Sequence, residues 1–446
     1  MITTDEAARR LGVSVRRVQE LVRAGQLSGR KIAGVWLVGE ASVDKRAQTV
    51  SSKGGRPARG RGKSETTFTL MNRKHEIARV VYNVSRKEFT AIGLDVDCLH
   101  APLGLLTKRN TIALSDFNRW WRGRGIPQAR EGLAGLLDGA GVSVPEELIQ
   151  RNLGLSLSDQ YWIRPENSGL KWEDINFFNN SFEKVSLSTA AFAVDGKRAQ
   201  ASPDNTSDGN LEKFWACHGT ARCLFKGGTR FGQESYNEVV ATALHQRLLR
   251  DGQYVAYWLE GTGANALCAC GDFLTDQEEY VPAVYVERCL NQDPDKNSYE
   301  HYLACCESLG VADAQAALDR MIVCDDIIAN CDRHFRNFGL IRNVETLECR
   351  CAPIFDSGSS LWFNVSTSDL AAGEHSFSSK QFFESPAKQM LLVNDFSWLD
   401  LSALDGFVDE AMDILTANEA LSARLPYIRA ALEWRVERMR NIAEWN

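Results

Sequence analysis

The most constraining feature of this chain is a knot of polar residues inside an otherwise apolar stretch. The mostly apolar run from Met321 to Ile328 stops at Asn330, Asp332, Arg333, His334, Arg336 and Asn337, and an apolar segment then resumes. Polar side chains held between packed elements are costly unless something satisfies them. A loop of this kind is retained when it must present charge at a site while its flanks anchor it in a core. Asp332 and Asn337 stand in a D-x-x-x-x-N spacing. A carboxylate there can take the proton of an attacking hydroxyl, and an amide oxygen five residues on can serve a magnesium ion.

Other stretches supply the rest of a phosphotransferase in the required order. Nineteen residues beyond Asn337, after two strand-like segments (GLIR and CRCAPIF), Asp356 ends an apolar strand and precedes Gly358. That is the place of a second metal ligand, the Asp of a D-F-G element. Upstream, NTSDGNLEKFWACHGTARCLFKGG reads as a small polar loop around Gly209 followed by a hairpin that turns at His218 and ends on Lys226. Backbone N–H groups of such a loop can lie over phosphates. GQESYNEVVATALHQRLL then reads as a long amphipathic helix with Glu234 and Glu238 one turn apart. In a kinase amino-terminal lobe the strand Lys steadies ATP phosphates and the helix Glu holds that Lys. The expected roles are therefore Asp332 as base, Lys226 and Glu238 as phosphate positioners, and Asn337 and Asp356 as magnesium ligands.

Three departures narrow the reading. No H-R-D precedes the catalytic Asp, because Arg333 and His334 follow it; Ser357 replaces the Phe of D-F-G; and no A-P-E follows. In these respects the chain resembles the HipA-like serine/threonine kinases, the toxins of bacterial toxin–antitoxin systems. Their catalytic loop D-R-H-x-x-N matches Asp332, Arg333, His334 and Asn337. Their S-x-x-G-x-x-x-K loop matches Thr206 to Lys213, with Thr in place of Ser.

The resemblance implies an α+β, protein-kinase-like bilobal fold using ATP and Mg²⁺. It implies an amino-terminal subdomain over 66–185, a kinase N-lobe over 186–275 and a mainly helical C-lobe over 276–446. It implies transfer to a protein hydroxyl and to the chain itself, with Thr206 or the adjacent Ser207 as autophosphorylation site and the Gly209 loop as a lid over ATP. It places the adenine hinge near CACGDF, with Gly271 and Phe273 as contacts. It points to a translation component as target and to an antitoxin as partner. His334 is expected to bond the loop backbone as a core histidine rather than to take part in catalysis.

The amino-terminal end is chemically distinct. Residues 1–63 hold 14 Lys+Arg against 5 Asp+Glu, a net of +9, while the remainder carries −16. A basic head on an acidic body suits a polyanionic partner. Thr3 and Glu6 form a capping box before a short helix that Gly12 ends. Ser14 caps a second helix with Val15, Val18, Leu21 and Val22 on one stripe. GRKIAGVWLV then reads as a hairpin with Gly34 at its tip. The pattern over 1–48 resembles the winged helix-turn-helix of the excisionase and MerR-like families. Arg16, Arg17, Gln19 and Arg23 on the outer face of the second helix are the expected DNA readers. Residues 49–65, rich in Gly, Arg and Ser, read as a basic flexible linker. In HipA-like systems the DNA-binding partner is usually separate, so a fused head leaves direct autoregulation and other uses both open.

Composition excludes some classes. No apolar run reaches the length of a membrane span, and the start lacks an export signal. Twelve cysteines then read as reduced thiols of a cytoplasmic protein. Cys268/Cys270 and Cys349/Cys351 are C-x-C pairs, too close for usual zinc spacing, and read as buried structural cysteines. LGLSLSDQYWIRP reads as packing. Two rival functions share parts of this logic: a small-molecule kinase of the aminoglycoside-phosphotransferase type, and a transcription regulator whose kinase-like body only binds nucleotide.

Overall fold

The apolar stripe of the second short helix is the core of the amino-terminal unit. The structure, a computed structural model, describes residues 2–11, 13–23, 26–32, 35–44, 65–127, 130, 133–139, 142–190, 201–206, 211–218 and 221–445. The chain divides into two units, Met1–Ser64 and Glu65–Asn446. In the first, strand β1 (Ile2–Thr3) leads into the helix Thr4–Leu11, and the helix Val15–Arg23 follows. Strands β2 (Gly29–Ile32) and β3 (Val35–Val38) form the wing, in sheet order β1-β3-β2. Thr3 Oγ1 accepts the Glu6 N–H at 3.3 Å, the expected first-turn cap. Val18, Leu21 and Val22 are buried against Ala7, Ala8, Leu27, Val38 and Val43.

Among the described residues, the second unit holds three antiparallel sheets. Strands β4 (Glu65–Asn72), β5 (His75–Asn83), β6 (Glu88–Ile92) and β7 (Tyr161–Pro165) are ordered β6-β5-β4-β7. Their inward residues meet Phe117, Trp120 and Trp121 of the helix Leu114–Arg122. Edge-to-face rings, Phe89 to Phe117 at 4.9 Å and to Trp121 at 5.2 Å, close that core.

Strands β8 (Lys213–His218), β9 (Ala221–Lys226), β10 (Tyr257–Glu260) and β11 (Leu267–Gly271) form the next sheet, ordered β10-β11-β9-β8. The hairpin expected from the sequence is there, and its register leaves Lys226 opposite Lys213 on one side and Cys268 on the other. The helix Gln233–Leu248 packs behind it. It is not amphipathic, as its sequence suggests, but buried around most of its circumference: Glu234, Asn237, Glu238 and Thr242 are as enclosed as Tyr236, Val240 and Leu244. The reason is a second neighbour, the segment Gly358–Leu361, whose carbonyls accept from Asn237 and Gln233 at 2.7 to 3.0 Å.

Strands β12 (Glu278–Pro282), β13 (Gly339–Asn343) and β14 (Cys349–Cys351) make the third sheet, beside a helical layer that includes Ser298–Ser308, Ala314–Ile327 and Leu425–Trp445. The polar knot leaves the end of Ala314–Ile327 and enters β13. Its flanks, Ile327, Ile328, Phe338 and Leu340, are core residues. No helix among the described residues is long and apolar enough to cross a membrane.

Candidate active site

Lys226 ends β9 as a fully enclosed ammonium and needs anions. It donates to Glu238 Oε1 at 3.0 Å, to Asp356 Oδ1 at 2.6 Å and to the Tyr257 hydroxyl at 3.2 Å. Burial disfavours its charge, but Asp356 and Glu238 overcome that and hold its pKa well above the ordinary lysine value. Burial likewise pushes Asp356 upward, yet Lys226 and then Lys213 pull its carboxyl far below the usual range. Glu238 moves the other way: burial raises it, and Asp356 adds to the rise against the pull of Lys226. Lys226 and Glu238 are each about 4% exposed, whereas Asp356 keeps 34% of its side chain open. Asp356 also sits at φ +57°, a left-handed conformation that a non-glycine residue holds only when its surroundings impose it. Gly358, two residues on, passes so close to the Gln233–Leu248 helix that a Cβ there would lie 2.9 Å from the Glu234 carbonyl oxygen.

Behind this group lies a second, sealed one. Arg333 is fully buried and bidentate on Asp325, with Nε and Nη2 at 2.9 Å from the two carboxylate oxygens. It also donates to the carbonyls of Asn337 and Phe355 and to Ser357 Oγ at 2.8 Å. Asn330 and Gln381 complete the Asp325 shell, each donating at 2.8 Å. Arg333 thereby locks the loop bearing Asp332 to the segment bearing Asp356. Ser357, in the place of the D-F-G Phe, joins both groups: its N–H donates to Glu238 Oε2 at 2.9 Å while its hydroxyl receives Arg333. The structural work of Arg333, Asp325 and Ser357 is not legible from the motifs, which mark the positions of Arg333 and Ser357 and do not mark Asp325 at all.

A cavity of about 480 Å³ gathers Lys226, Asp332, Asn337, Asp356, Gly271, Phe273 and Thr206 among its lining residues. Leu224, Tyr257, Phe273 and Phe355 give it apolar and aromatic walls of the kind a base stacks on. Asn337 Nδ2 donates to the Asp332 carbonyl at 3.0 Å, which leaves the amide oxygen as the end offered to the cavity. An amide oxygen and a carboxylate are hard donors that fit a magnesium ion. Asp332 Oδ1 accepts from Lys380 at 2.6 Å.

Other expected residues fall as follows. Glu234 does not reach Lys226; it accepts from the Thr229 N–H at 3.1 Å and from the Thr229 hydroxyl. Thr206 lines the cavity, but its hydroxyl is spent on the carbonyls of Leu155 (2.9 Å) and Pro203 (3.2 Å). Ser207 and Gly209 lie outside the described residues. His334 is half-buried at the cavity rather than in a core, and its Nδ1 accepts the Arg336 N–H at 3.2 Å. Cys268 and Cys270 are buried in β11, where burial pushes the Cys270 thiol up to about 12 and the Cys268 thiol higher still.

Two findings were out of reach of sequence reasoning. Trp120 and Arg124, on and just beyond the helix Leu114–Arg122, and Asp159 and Tyr161, from the stretch read as packing, line the same cavity. His75, Asp97 and His100 cluster, with the His100 ring bonded to Asp97 at 2.6 Å and stacked on His75 at 3.7 Å. Neither carries a spacing signal, because each is assembled from separate segments. In the head, Arg16 is 90% exposed beside Glu20 and Gln19 is half-buried. The side chains of Arg17 and Arg23 lie outside the described atoms.

A family model described as a helix-turn-helix domain matches residues 1–50. No curated protein matches the sequence. Among solved structures the chain is similar to the proinflammatory kinase CtkA of Helicobacter pylori, at 16% identity and a TM-score of 0.40, over 53% of this chain and 92% of that one. It is also similar to HipA of Shewanella oneidensis MR-1, solved as a toxin–antitoxin system with HipB and operator DNA. There the identity is 13% and the TM-score 0.45, over 83% of this chain and 97% of that one. The chain pairs a helix-turn-helix domain with an α+β body similar to these kinases. The functional reading rests on the geometry of the site.

Proposed function

We propose that the body of this protein is an ATP- and magnesium-dependent serine/threonine kinase, acting on a protein hydroxyl and on itself, with a DNA-binding head. One observation carries the reading. Lys226, pinned between Glu238 and Asp356, shares a single cavity with Asp332 and Asn337. Phosphoryl transfer asks a protein mainly for positioning and charge, and these side chains supply both. Lys226 would hold phosphate oxygens, and Asp332 would orient the acceptor hydroxyl and take its proton. Asn337 and Asp356 would hold magnesium, which supplies charge neutralisation at the phosphates. Leu224, Phe273 and Phe355 would bound the base. The choice of a protein acceptor, the toxin role and a translation component as target follow from the resemblance of the D-R-H-x-x-N loop, not from the cavity. The domain limits 66–185, 186–275 and 276–446 belong to the same proposal.

The helix-turn-helix match and the exposed Arg16 support DNA binding by residues 1–48, with 49–65 adding phosphate contacts. Such a head would let the kinase bind its own promoter, with or without a separate antitoxin.

The test is transfer of labelled γ-phosphate to the protein itself. Asp332→Asn is expected to lower it at least a thousandfold, about 4 kcal/mol in the barrier; labelling near the wild-type rate removes the assignment. For the head, gel shifts at two salt concentrations compare the full chain with one starting at Glu65. The shorter form is expected to lose binding, and the affinity of the full chain to fall steeply with salt.

A further inference from the structure

Arg333, next to Asp332 in the loop, turns its guanidinium away from that carboxylate. Arg333 is spent on Asp325 and the backbone behind the loop. Arg336 reaches the Gly123 carbonyl at 3.4 Å and lies over the Tyr285 ring at 5.9 Å. Lys226 belongs to the other end of the site, between Glu238 and Asp356. The ammonium at Asp332 comes from a distant part of the chain: Lys380, which donates to Asp332 Oδ1 at 2.6 Å.

An exposed Lys–Asp contact ordinarily carries little information, but the framework of this one is built. Ser379 and Gln381, on either side of Lys380, are 4% and 5% exposed. Gln381 donates to Asp325 Oδ2 at 2.8 Å, the same carboxylate that holds Arg333 of the catalytic loop. Phe382 packs its ring 5.5 Å from Phe335 and 5.8 Å from Phe338, both on the loop or its exit. The N–H groups of Phe382 and Phe383 are held by Gln389 Oε1. The backbones of Lys380 and Asp332 are therefore registered to each other through a common buried anchor. The lysine head group itself stays half exposed and able to move. A fixed stem with a mobile ammonium and three N–H donors suits a group that changes partners.

We propose that Lys380 is a catalytic cation of the transfer step, moving from Asp332 to the phosphoryl group as that group is passed. This rests on the kinase reading given above. In the resting site its ammonium donates to the Asp332 carboxylate. When an acceptor hydroxyl arrives, the O–H takes over the Asp332 carboxylate. The new O–P bond forms while the bond from the γ-phosphorus to the bridging oxygen breaks, the electron pair leaving with ADP. The hydroxyl proton passes to Asp332. Lys380 stays protonated throughout and turns its N–H groups to the non-bridging oxygens, where charge must be stabilised. The motif reading misses it because Lys380 lies 48 residues beyond Asp332, in a stretch with no recognisable spacing.

The experiment uses the full chain with ATP and magnesium, and compares wild type, Lys380→Met, Lys380→Arg and Asp332→Asn. Self-labelling and ADP release give the rate, titration calorimetry gives ATP affinity, and thermal melting reports the fold. Lys380→Met is expected to slow transfer by about a hundredfold, the scale of losing one preorganised donor, with ATP affinity within about threefold and melting unchanged. Lys380→Arg should recover part of the rate. A Lys380→Met protein that keeps more than half the wild-type rate, or runs faster because Lys380 merely covered the base, overturns the proposal. So does a loss of ATP binding in proportion to rate, which marks a structural role. If Asp332→Asn is also fully active, or the wild type transfers nothing, the kinase reading fails and takes this one with it. If Asp332→Asn is dead while Lys380→Met is active, only the lysine proposal fails.

Discussion

Two buried charge groups stand back to back in this molecule, and their difference separates chemistry from scaffolding. Lys226 with Glu238 and Asp356 opens on the cavity through the partly exposed Asp356. Arg333 with Asp325 has no opening: the pair is sealed by Asn330, Gln381 and Ser357 and by two backbone carbonyls. Both pay desolvation and both have their donors matched within the protein, but only the second balances one cation with one carboxylate. The first carries an excess of anion beside a cavity, a state suited to receiving a metal ion and phosphates. The two are joined by Ser357, so the geometry of the open group is set by the closed one.

The largest effects should break the comparison in two directions. Asp356→Asn is expected to cut phosphoryl transfer at least a thousandfold, about 4 kcal/mol in barrier, with unfolding free energy changed by no more than about 1 kcal/mol. Asp325→Ala leaves Arg333 buried without its anion and is expected to cost about 3–5 kcal/mol of stability. Urea unfolding and the labelling assay on both variants check this. If Asp356→Asn is the unstable one and Asp325→Ala folds normally, the roles are reversed.

A smaller effect concerns Thr206. A phosphate on Thr206 cannot coexist with the Thr206 hydrogen bonds to Leu155 and Pro203, and it adds about two negative charges near the nucleotide site. Phosphorylated protein, or Thr206→Asp, is expected to bind ATP at least about tenfold more weakly. Mass spectrometry after incubation with ATP and magnesium locates the phosphate. Its absence from both Thr206 and Ser207, in protein that labels elsewhere, removes the switch.

Ser357→Ala tests the joint itself. It deletes the hydroxyl that receives Arg333 but keeps the N–H that Glu238 holds, so a loss of about 1–2 kcal/mol is expected in denaturant unfolding. A change in activity larger than this loss of stability means the two groups are coupled more tightly than one hydrogen bond.

The mildest test lies outside both groups. Asp272, next to Gly271, is half-buried, and its Oδ2 is sealed with no hydrogen-bond partner. Burial pushes its carboxyl from 3.8 up to about 7. Because the folded form holds the proton more tightly, its contribution is fully favourable below pH 4. It is lost as pH rises from about 4 to about 7, and then stays constant. Asp272→Asn should remove that slope from a melting-temperature profile; an unchanged slope assigns it to other groups.

Much was legible in the residues alone. The hairpin ending on Lys226 and the D-x-x-x-x-N loop between core flanks lie where local pattern placed them, whereas the strand expected to run up to Asp356 stops at Cys351. The two short helices and wing of the head lie where the Thr3 cap and one apolar stripe placed them, while Gly12 and Gly34 lie outside the described residues. These are features in which sequence spacing and spatial spacing are the same thing. The helix Gln233–Leu248 was misread as amphipathic because its second neighbour, 358–361, lies more than a hundred residues away and covers a face that composition marks as exposed.

What the sequence by itself determined was the set of chemical parts and their order: a basic head, a glycine-bearing loop, a strand lysine, a helix glutamate, a carboxylate–amide pair and a final carboxylate. Local chemistry suffices for that, since caps, turns and short motifs act over a few residues. Only the tertiary structure decided that Arg333 faces inward to Asp325, that Ser357 joins the two charge groups, and that Lys380 stands at Asp332. Each of those is a contact between segments brought together by burial of apolar surface, which is non-directional. Which polar groups then meet is set by packing and register, and no spacing along the chain records it.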